Sequence, residues 1–393
     1  MPGTYERVMA ALNHQKPDRT PLFEIFQPYH PIHWPICGRN VATDAAMAWD
    51  AKADGIEWKE IAEAEAQAAF KMAKFFGLDM VRLNGCSIRK DYEKPIKLEK
   101  NRWRIGNNEY MLNERTKMVE LANPEDKNSW GYRTNEDTLR EKITSYDRSC
   151  EKNFTYETDP VYKRIRELAE KDGLDLVFMA EIGAGTGAAF YPPFMLMWMI
   201  DEVELYLKWL DMQKRSGFWR TRKLIEDGHA VVAMGGDVSC DKGPFISPDM
   251  YREFILPVIQ EHVRLIHDAG AKVVYTSDGN HWPIKEDFFF NSGTDGYKEV
   301  DKAAGMTMEK LIEEGVASKV CIIGNIDARH VLCHGTKDEV EREVTNCLKL
   351  GLQCKGGHIL HNSHSVHEDV KAENYVAAVN TYRKAFGLER LSW

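Results

Sequence analysis

Eight short apolar runs, rich in β-branched residues, recur along this 393-residue chain, and most are separated by helical patterns. They are PLFEIF (21–26), DMVRLN (79–84), LDLVFMAEI (174–182), AVVAMGGDV (230–238), AKVVYTSDG (271–279), TDGYKEV (294–300), KVCIIGNI (319–326) and GHILHNS (357–363). Near-continuous apolar runs suit strands buried on both faces. The helices between them carry end signals. Asp159-Pro160 opens one that stops at Gly173. Ser247-Pro248 opens another that runs to Gly270, and Thr336 a third that ends near Gly351. Strand–helix alternation repeated eight times predicts a (β/α)8 TIM barrel. A doubly wound open sheet is the alternative. That fold carries a glycine-rich phosphate turn after its first strand, where this chain has QPYHPIHWP.

Two regions depart from the alternation. Residues 1–20 predict a short helix with Thr4 as its cap and Val8, Met9 and Leu12 as its apolar face, closing one end or edge of the barrel. Residues 85–158 are polar and charged. Within them WRIGNNEYML predicts a hairpin turning at Gly106-Asn107-Asn108. The whole chain, 1–393, is thus read as one barrel domain, with 85–158 inserted between strands two and three over the mouth.

A net charge of −9 argues against nucleic acid as a partner, because phosphate binders are usually basic. No apolar run reaches the ~20 residues of a membrane helix, and the N-terminus has no apolar signal core, so a cytoplasmic protein is expected. The eight cysteines form no CxxC pair. Reduced, scattered thiols of this kind are usually small buried hydrophobes.

In a parallel barrel, chemistry is done at the C-terminal ends of the strands. Those positions hold Glu24, Gln27, Asn84, Glu181, Asp237, Asp278, Glu299, Asp301, Asn325, Asp327, His361 and His364. Gathering carboxylates costs free energy unless protons or cations compensate. Some of these residues have a plainer use: Asp278, Asp327 and Ser363 can each cap the helix that follows.

Several motifs resemble the uroporphyrinogen decarboxylase superfamily over nearly the whole chain. They are the opening ERVMAALNHQKPDRTP, GGD at 235–237, GPFISPDMYREFILP at 243–257, DGN at 278–280, GNID at 324–327, Gly335-Thr336 running to Val340, and SHSV at 363–366. The resemblance implies a barrel with its site at the strand C-termini. Porphyrin decarboxylases of that superfamily carry an arginine-rich segment for substrate propionates. Here the corresponding segments read FEIFQPYHPIHWP and VRLNGCS, without the arginine pair. A substrate with many carboxylates needs fixed cations. The chain therefore resembles more closely the corrinoid-dependent methyltransferase branch, in particular the methyltransferase I component of O-demethylases. Such a protein takes the methyl group of an aryl methyl ether and passes it to cob(I)alamin on a corrinoid protein.

Thiol-methylating members of that branch bind zinc through His-x-Cys and a late Cys. By position these fall on Thr276 and Asp278 and near His364. The expected metal ligands are therefore His364, Asp278 and Glu299, with Asp237 a further candidate; a site without metal remains the alternative. The expected catalytic residues are Glu181, as an acid kept protonated by burial, with Asp237 and His361. Phe26, Tyr29, Trp34, Asn84, Tyr191, Trp282 and Asn325 are the expected substrate contacts, the aromatic ones giving a flat apolar pocket. The GAGTGAA loop after Glu181 is read as a close backbone approach to a planar ligand. The alternative function is a decarboxylase acting on a smaller carboxylic acid. A homodimer is compatible with everything above.

Overall fold

A computed structural model describes residues 3–122, 135–182 and 194–393, apart from the side chains of Cys150 and Asn153. Eight parallel strands make the central sheet, each pairing with its neighbour in chain order. They are β1 (Phe23–Glu24), β2 (Met80–Arg82), β3 (Val177–Glu181), β4 (Val231–Gly235), β5 (Lys272–Thr276), β6 (Gly296–Lys298), β7 (Cys321–Ile323) and β8 (His358–Ile359). The ring closes between β8 and β1, where the Phe23 N–H donates to the Leu360 carbonyl at 3.0 Å and the Leu360 N–H to that of Pro21 at 2.9 Å. Each strand lies inside one of the eight apolar runs, and the fold is a (β/α)8 barrel.

The expected helix ends hold. Asp159 accepts from the N–H groups of Val161 and Tyr162, and Gly173 ends that helix at φ +71. Ser247 accepts from Met250 N–H, and Thr336 forms a capping box with Glu339. The run after Ser247 is not uniform. Tyr251–Ile255 widen into a π turn before Leu256–Asp268. Pro257 lacks the N–H an α-turn needs, and the wider turn absorbs the defect.

The N-terminal helix, Thr4–Leu12, plugs the bottom of the barrel. Val8, Ala11 and Leu12 are fully buried among Phe23, Met80, Val177, Val231, Val274, Ile323 and Ile359. Its cap differs from expectation. Gly3 takes the position, with Glu6 accepting from its N–H, while the Thr4 hydroxyl turns to the Asp175 carbonyl. Gly357, at φ +99, lies where an added Cβ would sit 2.0 Å from the Ala11 carbonyl oxygen, so only glycine lets the plug seat against β8.

Between β2 and β3 lies a four-stranded antiparallel sheet: Ile96–Glu99, Arg102–Ile105, Asn108–Leu112 and Val119–Leu121. The hairpin is present, with Gly106 at φ +55 in the turn and Asn108 already paired with Ile105. Trp103 is buried beneath this sheet and donates to Asp50 at 3.0 Å. Leu112, Met118 and Val119 pack on Tyr29, Ala45 and Ala48, and Arg115 pairs with Glu368 and Asp369 beyond β8. The sheet thus reaches the strand C-termini. No helix among the described residues is long and apolar enough to cross a membrane.

Candidate active site at the barrel mouth

The centre of the mouth is a buried ionisable network. Glu24, at the end of β1, is 2% exposed, and its Oε1 lies 3.3 Å from Nδ1 of the fully buried His361. Loss of solvent pushes the Glu24 carboxyl well above the usual carboxylate range and His361 well below the usual imidazole range, the latter aided by the charge of Lys298. Both are thus driven to their uncharged forms. Nε2 of His361 is buried with no hydrogen-bond partner.

Lys298, the last residue of β6, is 1% exposed and donates to Glu299 at 2.5 Å. Burial acts to raise Glu299, but Lys298, with His364 and His361 behind it, outweighs burial and holds the carboxyl below its ordinary value. Glu299 itself adopts φ +71, a left-handed conformation uncommon for a residue with a Cβ.

Around this centre stand carboxylates nearer to solvent. Asp278 is half-buried, and its pKa is pushed up to about 6, by burial first and then by the charges of Asp237 and Glu299. Asp237 is open on its outer side but is also raised, by partial desolvation and by Glu299. Asp327 is the cap that its position allowed, accepting from His330 N–H at 2.8 Å, and Ser363 accepts from Ala328 N–H at 3.1 Å. Asp278 has no such cap bond among the described hydrogen bonds, which leaves it available to a ligand.

Glu181 differs from the isolated buried acid that the sequence suggested. It is 29% exposed in its side chain and sits against the Arg82 guanidinium. An acid role fits Asp278 or Glu24 better.

Beside β1 and β2 lies a cavity of about 390 Å³. Phe26, Tyr29, Trp49 and Met72 supply its apolar wall; Glu24, Lys52, Glu65, Arg82 and Asn84 are the main polar groups. Tyr29 is pushed up to about 12, chiefly by burial. Asn84 donates to the Phe26 carbonyl at 3.0 Å. Inside the wall, burial raises Glu65 and lowers Lys52, and each is partly offset by the other. A larger groove of about 600 Å³ near Trp58, Arg166 and Glu170 runs over the outer face of the helix Pro160–Asp172, away from the strand ends.

The expected substrate residues divide. Phe26, Tyr29 and Asn84 line the cavity. Trp34 does not: its indole donates to the Thr43 carbonyl at 2.8 Å and Arg39 covers its ring. Trp282 donates to the Gly305 carbonyl and lies under Lys310. Asn325 is buried behind β7, its N–H directed at Cys347 Sγ and its side-chain amide at the Met306 carbonyl. These three are held by framework contacts. Tyr191 and the GAGTGAA loop lie outside the described residues.

His364, Asp278 and Glu299 share the mouth but do not form a ready zinc site. Among the described residues no three His, Cys, Asp or Glu side chains stand together in ligating positions. Lys298 already occupies one oxygen of Glu299, and His364 is exposed, with Nδ1 at 3.1 Å from the Ser365 hydroxyl. The residues at these positions therefore do not fit the metal. The residues missed from sequence are Lys298, Arg82, Trp49, Lys52 and Glu65.

The fold is shared with a methyltransferase from Methanosarcina mazei, 19% identical, over 98% of this chain and 99% of that one, with a TM-score of 0.64. A xylose isomerase-like TIM barrel protein from Mycobacterium smegmatis, 12% identical, matches over 58% of this chain and 80% of that one, at a TM-score of only 0.34. At such identities likeness is one of fold alone. The family match is of a different kind: residues 140–385, well over half of the chain and carrying β3 to β8 with the Asp237, Asp278, Glu299 and His361 positions, match the uroporphyrinogen decarboxylase (URO-D) family, and the chain belongs to it.

Proposed function

We propose that this protein is a methyltransferase of the URO-D family that demethylates an aryl methyl ether and passes the methyl group to the cob(I)alamin of a corrinoid protein. The observation that carries the reading is the cavity beside β1 and β2. Its volume of about 390 Å³ lies near the lower end of small-molecule sites, roughly 300–1,000 Å³, and suits one substituted ring rather than four linked pyrroles. Its aromatic wall suits that ring face. The cations near it, Arg82, Lys52 and Lys298, stand beside Glu181, Glu65 and Glu299. None is set out to receive a ring of propionates. The whole-length likeness to a protein described as a methyltransferase points the same way.

The corrinoid supplies the nucleophile that takes the methyl carbon. What remains for this chain is to hold the ring and to help the departing phenolate. Phe26 and Tyr29 bracket the ring, and Asn84 offers an amide at the cavity's edge. Glu24, which lines the cavity and whose carboxyl burial drives to its protonated form, can give a proton to the leaving oxygen. Glu24 and His361, both uncharged, supply hydrogen bonds without adding net charge. Closing the mouth against water would strengthen each of these interactions.

The test is to mix the protein with reduced cobalamin or a corrinoid protein and a panel of methoxylated phenols, and to follow the corrin absorption. Methylation of the cobalt together with release of the phenol supports the reading. Release of carbon dioxide from an aromatic or porphyrin acid, with no change in the corrin, replaces it with a decarboxylase.

A further inference from the structure

The cavity beside β1 and β2 takes its charged groups from two parts of the fold. Glu24 and Arg82 come from the C-terminal ends of β1 and β2. Lys52 and Glu65 come from the helices Ala45–Asp54 and Trp58–Phe76, which precede β2. A ring held against Phe26 and Tyr29 thus has polar partners on the strand side and a second set on the helix side.

The basic residues of this wall are His33, Lys52 and Arg82. Burial keeps His33 uncharged, and its Nδ1 lies 2.8 Å from the His30 carbonyl. The Arg82 guanidinium sits against Glu181. Lys52 is different. It is half-buried, yet no carboxylate among the described residues stands at ion-pair distance from its ammonium, which makes no hydrogen bond among them either. Glu65 supports the Lys52 charge only from farther away. The carboxylate of Glu65 is engaged elsewhere: the Ser87 N–H donates to its Oε2 at 3.1 Å, and the Ser87 hydroxyl and Cys86 thiol add to that bond. Glu24, the other acid of the wall, is driven to its protonated form by burial and repels no anion. An ammonium that has lost water without gaining a direct partner costs free energy. An anionic group on a ligand offsets that cost, and their charge-assisted bond is stronger in a cavity of low dielectric than in water.

We propose that Lys52 is the specificity-determining residue of this cavity, receiving an ionised carboxylate carried by the ring away from its ether, so that acidic aryl methyl ethers bind in preference to neutral ones of the same shape. The proposal rests on the reading of the cavity as the aryl ether site. It gives the two ends of the cavity separate tasks: Glu24 serves the departing oxygen, and Lys52 holds the far side of the ring.

The experiment titrates the full-length protein with para-methoxybenzoate and with para-methoxybenzamide, its neutral isostere, by calorimetry near neutral pH with no corrinoid present. The wild type should prefer the carboxylate by about tenfold or more, as a hydrogen bond to a charged group allows. Lys52→Met should bring the ratio close to one, and Lys52→Arg should keep most of it. A general loss of packing at Lys52 would weaken both ligands alike and leave the ratio in place. Thermal melting establishes that each variant is folded; if Lys52→Met is not, Lys52→Gln replaces it. The proposal is overturned if the wild type binds the amide as tightly as the carboxylate, if the preference survives Lys52→Met or Lys52→Gln, or if Lys52→Arg loses it completely. Methyl transfer to reduced corrinoid is scored separately with the same two ethers. A Lys52-dependent preference without any transfer would remove the proposed function and leave this anion site standing. Transfer from both ethers without a preference in binding would remove this proposal alone.

Discussion

Lys298 and Glu299, adjacent in sequence, form a 2.5 Å ion pair inside the barrel mouth, with the lysine 1% exposed and the glutamate in a left-handed backbone conformation. In a strand, neighbouring side chains point to opposite faces. The reversed backbone at Glu299 is what turns its carboxylate back toward the Lys298 ammonium. Around this pair stand the uncharged Glu24 and His361 and the raised carboxyls of Asp237 and Asp278.

Breaking that pair from one side should be costly. Lys298→Met leaves a mostly buried carboxylate without its cation, and losing one partner of a buried pair typically costs about 3–5 kcal/mol. Replacing both residues, as Lys298→Met with Glu299→Gln, should restore much of the loss. Denaturant melts of the single and double variants check this; equal losses in the two would show that the pair is not coupled.

Asp278 sets a pH dependence. Its folded pKa is raised from 3.8 to about 6, so the folded state binds the proton more tightly than the unfolded state. Stability from this group therefore rises as pH falls through about 6 toward 4, and is absent above that window. Asp278→Asn should remove this component from the thermal midpoint measured between pH 7 and pH 4.

The eight strands were legible because burial on both faces leaves an unbroken apolar run, and the helix caps at Asp159, Ser247 and Thr336 because capping chemistry is local. The site was less so. Lys298 hides in GYKEV, where a strand pattern would place it on a polar face, and only its long-range surroundings reveal that it is buried. Arg82 and Glu181 meet across β2 and β3, which sequence spacing cannot show. Trp34, Trp282 and Asn325 follow strand ends just as Phe26 does, yet hydrogen bonds to Thr43, Gly305 and Met306 turn them away from the cavity. Much of the cavity wall comes instead from the helices Ala45–Asp54 and Trp58–Phe76, through Trp49, Lys52, Glu65 and Met72.

The plug at the barrel bottom supplies a structural prediction remote from the chemistry. Gly357→Ala places a Cβ 2.0 Å from the Ala11 carbonyl oxygen at a φ of +99. It should cost at least about 3 kcal/mol or prevent folding, as clashes of buried backbone do. Gly387→Ala has no heavy atom within 4 Å of the added Cβ and should bear only the strain of φ +65, a smaller loss. Comparing soluble yield and melting temperature of the two variants checks the order.

Filling the cavity should separate binding from folding. Ala42 lines its edge and is only partly buried, so Ala42→Trp should leave the unliganded melting temperature near that of the wild type while abolishing thermal protection by methoxylated phenols. A ligand that binds only the folded state must raise that temperature. Undiminished protection of Ala42→Trp would place the aryl group elsewhere.

The most direct test of the central claim is transfer of an isotopically labelled methyl group from a methoxylated phenol to reduced corrinoid, run beside carbon dioxide release from aromatic and porphyrin acids. The account predicts label on cobalt in one-to-one amount with the phenol set free, a rate much reduced in Glu24→Gln, and no carbon dioxide. Carbon dioxide release from an acid at a steady rate, with the corrinoid left unmethylated by every ether, would contradict it.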